Sequence, residues 1–284
     1  MKHAEGLLTV PLSDVAGSGK LYEQSWLPDG DAKAALLIVH GYGEHSGRYS
    51  HVAKYFVERG YAVYAIDHDG HGKSDGSPGF VEHFSVYLDG VQALLAKIQM
   101  DQRGLPTFLV GHSMGGLISS SFLIENQDAF AGCVLSGPAV KSDIEPPGWQ
   151  LAIIRVLARI TPKLGVLGLD ASGVSRDQKV VDAYIADPLV FKGKISARLV
   201  AELFAAMQNV MNNASAITLP IIFMHGEADV LAAPIGSRVL HEKISSSDKT
   251  LKLYPGLYHE IFNEPEQLEV LGDMHTWLEA HLPA

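Results

Sequence analysis

Residues 107–120 read TFLVGHSMGGLISS, and this stretch decides the fold. Its first half is a continuous apolar run, typical of a strand buried on both faces, and its second half predicts a helix. Between them, GHSMG at 111–115 fits the pattern G-x-S-x-G around Ser113. In this strand-then-helix context the pattern is typical of a nucleophile elbow, a tight turn that exposes a reactive serine. An ordinary Gly/Ser turn in a βα unit is the alternative.

Strands and helices alternate on both sides of this turn. The segment KLYEQSWLP (20–28) predicts an early antiparallel strand. Further strands are predicted at 34–40, 61–67, 131–138, 219–229 and 250–255, and helices at 46–60, 80–100, 114–126, 234–244 and 265–281. This order indicates an α/β fold with a mostly parallel central sheet flanked by helices.

The alternation stops between residues 139 and 214. This region offers no convincing strand and contains two strongly apolar helical segments, at 146–165 and 194–213. We therefore expect a core formed by residues 1–138 and 215–284, with residues 139–214 inserted after the sixth strand as a helical cap. Additional core packing is the alternative.

Composition and charge exclude several classes of protein. The chain has 284 residues, with 22 Lys+Arg against 32 Asp+Glu and a formal net charge of −10, so a nucleic-acid partner is not expected. The single cysteine, Cys133, excludes an internal disulfide, and its apolar surroundings favour a buried thiol. With neither a signal peptide nor a spanning segment predicted, we expect a cytoplasmic protein. The sequence leaves the oligomeric state open.

A serine nucleophile needs a base and an acid. Of the 13 histidines, His259 lies where a base is expected, between the predicted last strand and the final helix. Asp229 falls between serine and histidine in sequence, after the intervening strand, and Glu227 is its nearby rival. The order Ser113, Asp229, His259 is that of the α/β-hydrolases. Backbone N–H groups of Tyr42 and Met114 are the candidates for an oxyanion hole.

Two other motifs are weaker. AGSGKL (16–21) resembles the end of a phosphate loop but lacks the first glycine and the Ser/Thr that would hold Mg²⁺. His68 and His71, with Asp67 and Asp69, could suggest a metal site, but a Gly-rich turn after a strand explains them better. No metal and no cofactor are expected.

Five segments carry a resemblance to a known family: HGYGEHSGRY (40–49), DHDGHGKSDG (67–76), GHSMGG (111–116), GEADVLAAP (226–234) and YPGLYHEIFNE (254–264). They resemble the monoacylglycerol lipase and lysophospholipase-like branch of the α/β-hydrolase fold, in its bacterial form. The resemblance implies the same triad and oxyanion donors, and a cap over an alkyl-binding tunnel.

The resemblance also implies that Arg48 and an acidic residue early in the cap, Glu145, place a glycerol head group. A structural ion pair or solvent-facing charges are the alternative for these two residues. The vertebrate members carry a second histidine three places beyond the base, where this chain has Phe262.

We therefore predict a serine carboxylester hydrolase that cleaves monoacylglycerols to glycerol and fatty acid. The alternatives are a short-chain or aryl carboxylesterase, a lysophospholipase, a peptidase of the same fold, or a hydrolase-fold binding protein without significant catalysis. The predicted cap helix at 149–160 has an apolar face flanked by Arg155 and Arg159, which predicts transient contact with a membrane or micelle through residues such as Ile153 and Leu157.

Overall fold

The computed structural model describes residues 1–15, 17–141 and 147–283. Its strands are β1 (Lys2–Pro11), β2 (Ser18–Leu27), β3 (Ala34–Val39), β4 (Tyr61–Ile66), β5 (Thr107–His112), β6 (Gly132–Ser136), β7 (Gly165–Leu167), β8 (Ile195–Ser196), β9 (Ile221–Gly226) and β10 (Lys249–Tyr254). Its α-helices are α1 (Ser50–Val57), α2 (Ser85–Asp101), α3 (Met114–Asn126), α4 (Gly148–Ile160), α5 (Gln178–Ala186), α6 (Ala197–Asn213), α7 (Pro234–Lys243) and α8 (Gln267–Ala280).

Eight strands form the central sheet, in the order β1-β2-β4-β3-β5-β6-β9-β10. The pairs β1–β2 and β2–β4 are antiparallel, and the remaining pairs are parallel. A parallel strand with helices on both faces is buried throughout, which explains why β3, β4 and β5 read as continuous apolar runs. The predicted mostly parallel sheet flanked by helices is confirmed.

Side-chain alternation along β3 divides the core into two layers. Leu37 and Val39 pack in the layer that contains the apolar faces of α2 and α3, whereas Leu36 and Ile38 pack in the layer of α1 and α8. Helices thus cover both faces of the sheet. Because the central strands are parallel, their carboxyl ends lie together at one edge of it. Loops that follow these strands can hold reactive side chains in fixed positions.

The structure corrects the sequence interpretation in three places. Strand β1 was not predicted, because most of its side chains are exposed at the sheet edge and carry no clear apolar alternation. The helix predicted at 46–60 begins with a 3₁₀ turn at Ser46–Tyr49, before α1. The short strands β7 and β8 form an antiparallel pair inside the region where no strand was expected, because two or three residues are too few for a periodic pattern.

The segment between β6 and β9 stands apart from the sheet. None of its described residues joins the central sheet, and it contains α4, α5 and α6 with the β7–β8 pair. Helix α4 packs mainly on α6, which in turn packs on α3. The division at 139–214 into a cap and a core stays a prediction, and its early part, 142–146, lies outside the described residues.

Candidate active site

Ser113 occupies a strained turn between β5 and α3. With φ of 54°, it is the one non-glycine residue of the described chain with a positive φ. The flanking glycines explain how the turn closes: a Cβ at Gly111 would meet the side chain of Ser119, and a Cβ at Gly115 would collide with the carbonyl of Val39. The backbone N–H of Ser113 donates to the Ser136 carbonyl at 3.0 Å. The predicted elbow geometry is therefore present in the structure.

His259 and Asp229 meet above the same sheet edge. The distance from His259 Nδ1 to Asp229 Oδ2 is 2.6 Å, and both residues are buried. Asp229 Oδ1 accepts the backbone N–H groups of Leu231 and Ala232 at 2.8 and 2.9 Å. His225 Nε2 also contacts Asp229 Oδ2, at 3.0 Å. Four groups thus fix the carboxylate, and the histidine that it orients has little freedom to rotate.

The charges around His259 set its protonation. Burial disfavours the charged ring, but the attraction and hydrogen bond of Asp229, with smaller contributions from Glu260 and Glu44, raise the pKa of His259 above its usual value. Burial would raise the pKa of Asp229, yet His259 and the hydrogen bonds from His225 and His259 hold it well below its usual range. Asp229 is therefore ionised whenever the imidazole takes up a proton.

Glu227, the rival acid, points elsewhere. Its side chain is exposed and pairs with Arg238 at 3.4 Å. Between these two carboxylates, the structure brings only Asp229 within hydrogen-bond distance of His259.

Tyr42 and Met114 each present a backbone N–H beside the serine. Neither N–H donates to any acceptor in the described part of the chain, and Met114 is the first residue of α3, where no partner exists within the helix. Both residues line the cavity that contains Ser113 and His259. A Cβ on Gly41 would lie 3.0 Å from Ser113 Cβ, so the loop carrying Tyr42 runs directly past the serine.

His40 holds that loop from behind, a role that sequence reasoning missed. Its Nδ1 lies 2.7 Å from the Gly41 carbonyl oxygen, and the backbone N–H of His68 donates to its Nε2 at 3.0 Å. Since Nε2 accepts, the proton must be on Nδ1, which donates to Gly41. Burial holds the pKa of His40 well below its usual range, so the ring stays neutral. On the other side of the loop, Glu44 accepts the Gly41 N–H at 2.7 Å.

The cavity has a volume of about 490 Å³ and differs in character along its length. Most of its wall is apolar and comes from the region between β6 and β9 and from the loop after β9, including Leu167, Leu169, Val174, Leu203, Phe204, Met207, Val230 and Leu231. Glu44, Tyr184 and Glu260 also line it, near the serine loop and next to His259, and three further charged residues belong to the lining: Lys141, Asp170 and Lys192. One cavity therefore offers both an alkyl surface and a small group of hydrogen-bond acceptors.

Arg48 lies behind these acceptors and does not line the cavity. It forms a two-pronged ion pair with Glu260, at 2.6 and 2.7 Å, contacts Glu44 at 3.0 Å, and stacks on the Tyr184 ring. Burial would raise the pKa of Glu260, but Arg48 lowers it, whereas burial dominates and raises the pKa of Glu44. Glu44 and Glu260 were not predicted from the sequence. Glu145 lies outside the described residues.

Phe262 and the histidine pair His68 and His71 were also singled out in the sequence. Phe262 is buried in the α1–α8 layer of the core, and only its carbonyl takes part in a polar contact, with His51 at 2.9 Å. His68 and His71 are buried, and burial lowers the pKa of both, that of His68 to about 3. No group of three or more metal-ligating side chains occurs among the described residues.

Comparison with known proteins extends over nearly the whole chain. The Hydrolase_4 family, described as "Serine aminopeptidase, S33", matches residues 30–266. The chain is 40% identical over 266 residues to a "Monoacylglycerol lipase" of Mycolicibacterium smegmatis, covering 94% of this chain and 95% of that protein. It is 35% identical over 261 residues to the Homo sapiens "Monoglyceride lipase", covering 91% and 86%. The crystal structure of a monoacylglycerol lipase from "Paleococcus ferrophilus" superposes with a TM-score of 0.83 at 34% identity, covering 92% of this chain and 99% of that one.

Proposed function

Because this chain belongs to the Hydrolase_4 family of α/β-hydrolases, and within it to the monoacylglycerol lipase branch, we propose that it cleaves monoacylglycerols to glycerol and free fatty acid. The observation that carries the proposal is the single cavity that joins Ser113 and His259 to an alkyl surface and to a small acidic polar end. A single acyl chain with a diol head group has the matching chemistry.

The first half of the reaction acylates the serine. His259 accepts the Ser113 proton as the hydroxyl oxygen attacks the ester carbonyl carbon. Backbone N–H groups of Tyr42 and Met114 stabilise the negative charge on the carbonyl oxygen, and the N-terminus of α3 adds to this field. When the intermediate collapses, the C–O bond breaks and the protonated His259 gives its proton to the departing glycerol oxygen. Asp229 stabilises the imidazolium in between.

The second half restores the enzyme. His259 takes a proton from water, and the hydroxide oxygen attacks the acyl carbon of the ester on Ser113. The same two N–H groups stabilise the second intermediate. Collapse returns the proton to the serine oxygen and releases the fatty acid, so that one water is consumed for each ester cleaved. No step needs a group other than those of the chain, the substrate and water.

The polar end supports a neutral diol over a phosphate. Glu44 and Glu260 line the cavity while Arg48 lies behind them, so the head group meets carboxylate acceptors rather than a guanidinium donor. Glycerol hydroxyls can donate to these oxygens directly or through water. A lysophospholipid phosphate placed beside Glu260 would meet an anion, which disfavours it there, and the lysophospholipid assay tests this effect against the attraction of Lys141 and Lys192, which line the same cavity. In this proposal Arg48 acts by fixing the two acids, and the contribution of Glu145 stays a prediction.

The experiment compares mono-, di- and triacylglycerol of one chain length, with p-nitrophenyl esters of several lengths and a lysophospholipid alongside. Wild type and Ser113→Ala are assayed together. We expect cleavage of monoacylglycerol that disappears in the variant. Activity restricted to short activated esters would favour the carboxylesterase alternative, and unchanged activity in Ser113→Ala would refute the mechanism.

A peptidase is the second candidate, because the family description names aminopeptidases and the two cavity carboxylates could bind a free amine. An aminoacyl p-nitroanilide assayed beside an ester separates the two: preferential cleavage of the amide would favour the peptidase. A binding protein without catalysis would leave both substrates uncleaved.

We also propose that α4 contacts a membrane or micelle during substrate uptake. One face of this helix is apolar and exposed. It consists of four residues at helical spacing: Trp149 (64% exposed), Ile153 (50%), Val156 (53%) and Ile160 (74%). Leu157, which the sequence suggested as part of this face, is partly buried instead. No helix in the described part of the chain is long and apolar enough to cross a bilayer. The cytoplasmic location expected from the sequence stays a prediction.

A further inference from the structure

A second cavity of about 330 Å³ lies on the far side of the acyl-binding wall. Its floor is apolar and is formed by α4, α6 and α7, with Leu151, Ile154 and Met211 among the residues that line it. We call this cavity the α4–α6 groove. It is separate from Ser113 and His259, neither of which lines it.

Three residues connect the groove to the active-site cavity. Lys141, Phe204 and Met207 line both, so the partition between the two spaces is only one layer of side chains thick. Met207 is unbranched and flexible, and a change of its rotamer costs little compared with moving a helix. An alkyl chain in the active-site cavity therefore lies next to a second apolar surface of suitable width.

The charged side chains of the groove that the structure describes have one sign. Lys141, Arg155 and Lys243 line it, and no acidic side chain does so within the described residues. This is unusual for a chain whose net charge is −10. Arg155 and Lys243 are exposed, which places them at the rim of the groove, and neither forms an ion pair with any residue that the structure describes. An apolar floor below a cationic rim is complementary to a single-chain anionic amphiphile.

We propose that the α4–α6 groove binds the fatty acid product, with its alkyl chain on the floor and its carboxylate at Arg155 and Lys243. This inference rests on the proposed function, because ester cleavage beside the partition is what generates such an anion. Fatty acid that leaves the active site has a binding site away from the serine, and its accumulation there need not block the next substrate.

The test uses the full chain with Ser113 covalently modified by a dodecyl phosphonate, so that the active-site cavity is filled. Dodecanoate and 1-dodecanol, which differ in charge but not in chain length, are titrated calorimetrically below the concentrations at which they aggregate. We expect one dodecanoate per chain, bound at least about tenfold more tightly than the alcohol. The double variant Arg155→Gln/Lys243→Gln should weaken dodecanoate binding by about tenfold or more.

Two controls make the result specific. Arg159→Gln makes the same change of charge on α4 outside the groove and should leave binding unchanged. Ala205→Trp places a large side chain into the groove and should abolish binding of both ligands. The substituted residues are all exposed, so we expect little change in stability: Arg155, Lys243, Arg159 and Ala205. Thermal unfolding of each variant checks this.

Several outcomes would overturn the proposal: no binding to the modified chain, equal affinity for acid and alcohol, or equal loss in Arg159→Gln. Loss of binding to anionic vesicles in the double variant, with dodecanoate binding unchanged, would assign these cations to a lipid surface instead. Mass spectrometry of the phosphonate adduct tests the proposed function separately. If Ser113 does not react, the same titrations are made on the unmodified chain. Tighter binding of dodecanoate than of dodecanol, lost in the double variant, would then still support the groove as the binding site.

Discussion

Replacing His40 should separate the orientation of the oxyanion loop from the stability of the fold. His40 Nδ1–H donates to the Gly41 carbonyl at 2.7 Å. The peptide bond that follows is trans, so its C=O and the N–H of Tyr42 point in opposite directions. The hydrogen bond that fixes the carbonyl therefore also aims the Tyr42 N–H, which is left free beside Ser113.

Two substitutions each keep one half of the imidazole. The side-chain N–H₂ of His40→Asn can occupy the place of Nδ1 and still donate to Gly41, but nothing then accepts the His68 N–H. The carbonyl of His40→Gln can occupy the place of Nε2 and accept from His68, but the donor to Gly41 is lost. Each variant leaves one buried polar group unpaired, which costs about 1–3 kcal/mol, so both should lose similar stability.

Their activities should differ. Loss of one oxyanion donor costs about 3 kcal/mol of transition-state stabilisation, which is about a hundredfold in kcat. We expect His40→Gln to approach this loss with KM little changed, and His40→Asn to stay within about tenfold of wild type. The assay measures kcat and KM on a soluble short-chain ester, with thermal unfolding of each variant.

Equal kcat in the two variants would refute the reasoning, as would a loss carried by KM alone. Equal stability with unequal kcat is the result that a purely structural role for His40 cannot produce.

The pKa of His259 is raised, and only the neutral ring can accept the serine proton, so kcat/KM should rise with pH through a midpoint above about 6.5. Glu260→Gln removes an anion that favours the imidazolium and should lower that midpoint; an unmoved profile would contradict the electrostatic argument. Asp229→Asn should reduce kcat by about 10⁴, because the imidazole loses its anionic partner. If stopped assays show that the variant keeps a tenth of the wild-type activity, another residue must act as the acid. Trp149→Ser/Ile153→Ser should lower activity on micellar monoacylglycerol several-fold while a soluble ester is cleaved as before, and parallel losses on both would exclude a role in surface contact.

Local patterns were sufficient for most of the fold and for the choice of a candidate triad. The strand before Ser113, the glycines around it and the helix after it are all encoded within fourteen residues, and the structure places α3 at Met114–Asn126 as predicted. His259 and Asp229 could be chosen because chain order and strand ends limit the candidates. The contacts that the sequence did not reveal are those between residues far apart in the chain. Glu260 meets Arg48 across 212 positions of sequence, and no periodicity links the two.

The same limit applies to β1 and to the α4–α6 groove. Strand β1 is specified by its ten-residue pairing with β2 rather than by a pattern of its own. The groove depends on how α4, α6 and α7 pack, so Arg155 and Lys243, which are 88 positions apart, appear in the sequence as unrelated surface charges. From the sequence alone, Arg155 could be related only to the apolar face of its own helix, because its proximity to Lys243 depends on how the helices pack.

The position of Glu260 has a consequence for how binding and chemistry are linked. The Phe262 ring packs into the core and provides no polar contact, and Glu260, the residue next to the base, lines this end of the cavity. Glu260 favours the protonated form of His259. Hydroxyls that donate to Glu260 disperse its charge and reduce that effect. If a diol head group binds as we propose, it shifts His259 toward the neutral form that accepts the serine proton, whereas an ester without such donors leaves the effect of Glu260 unchanged.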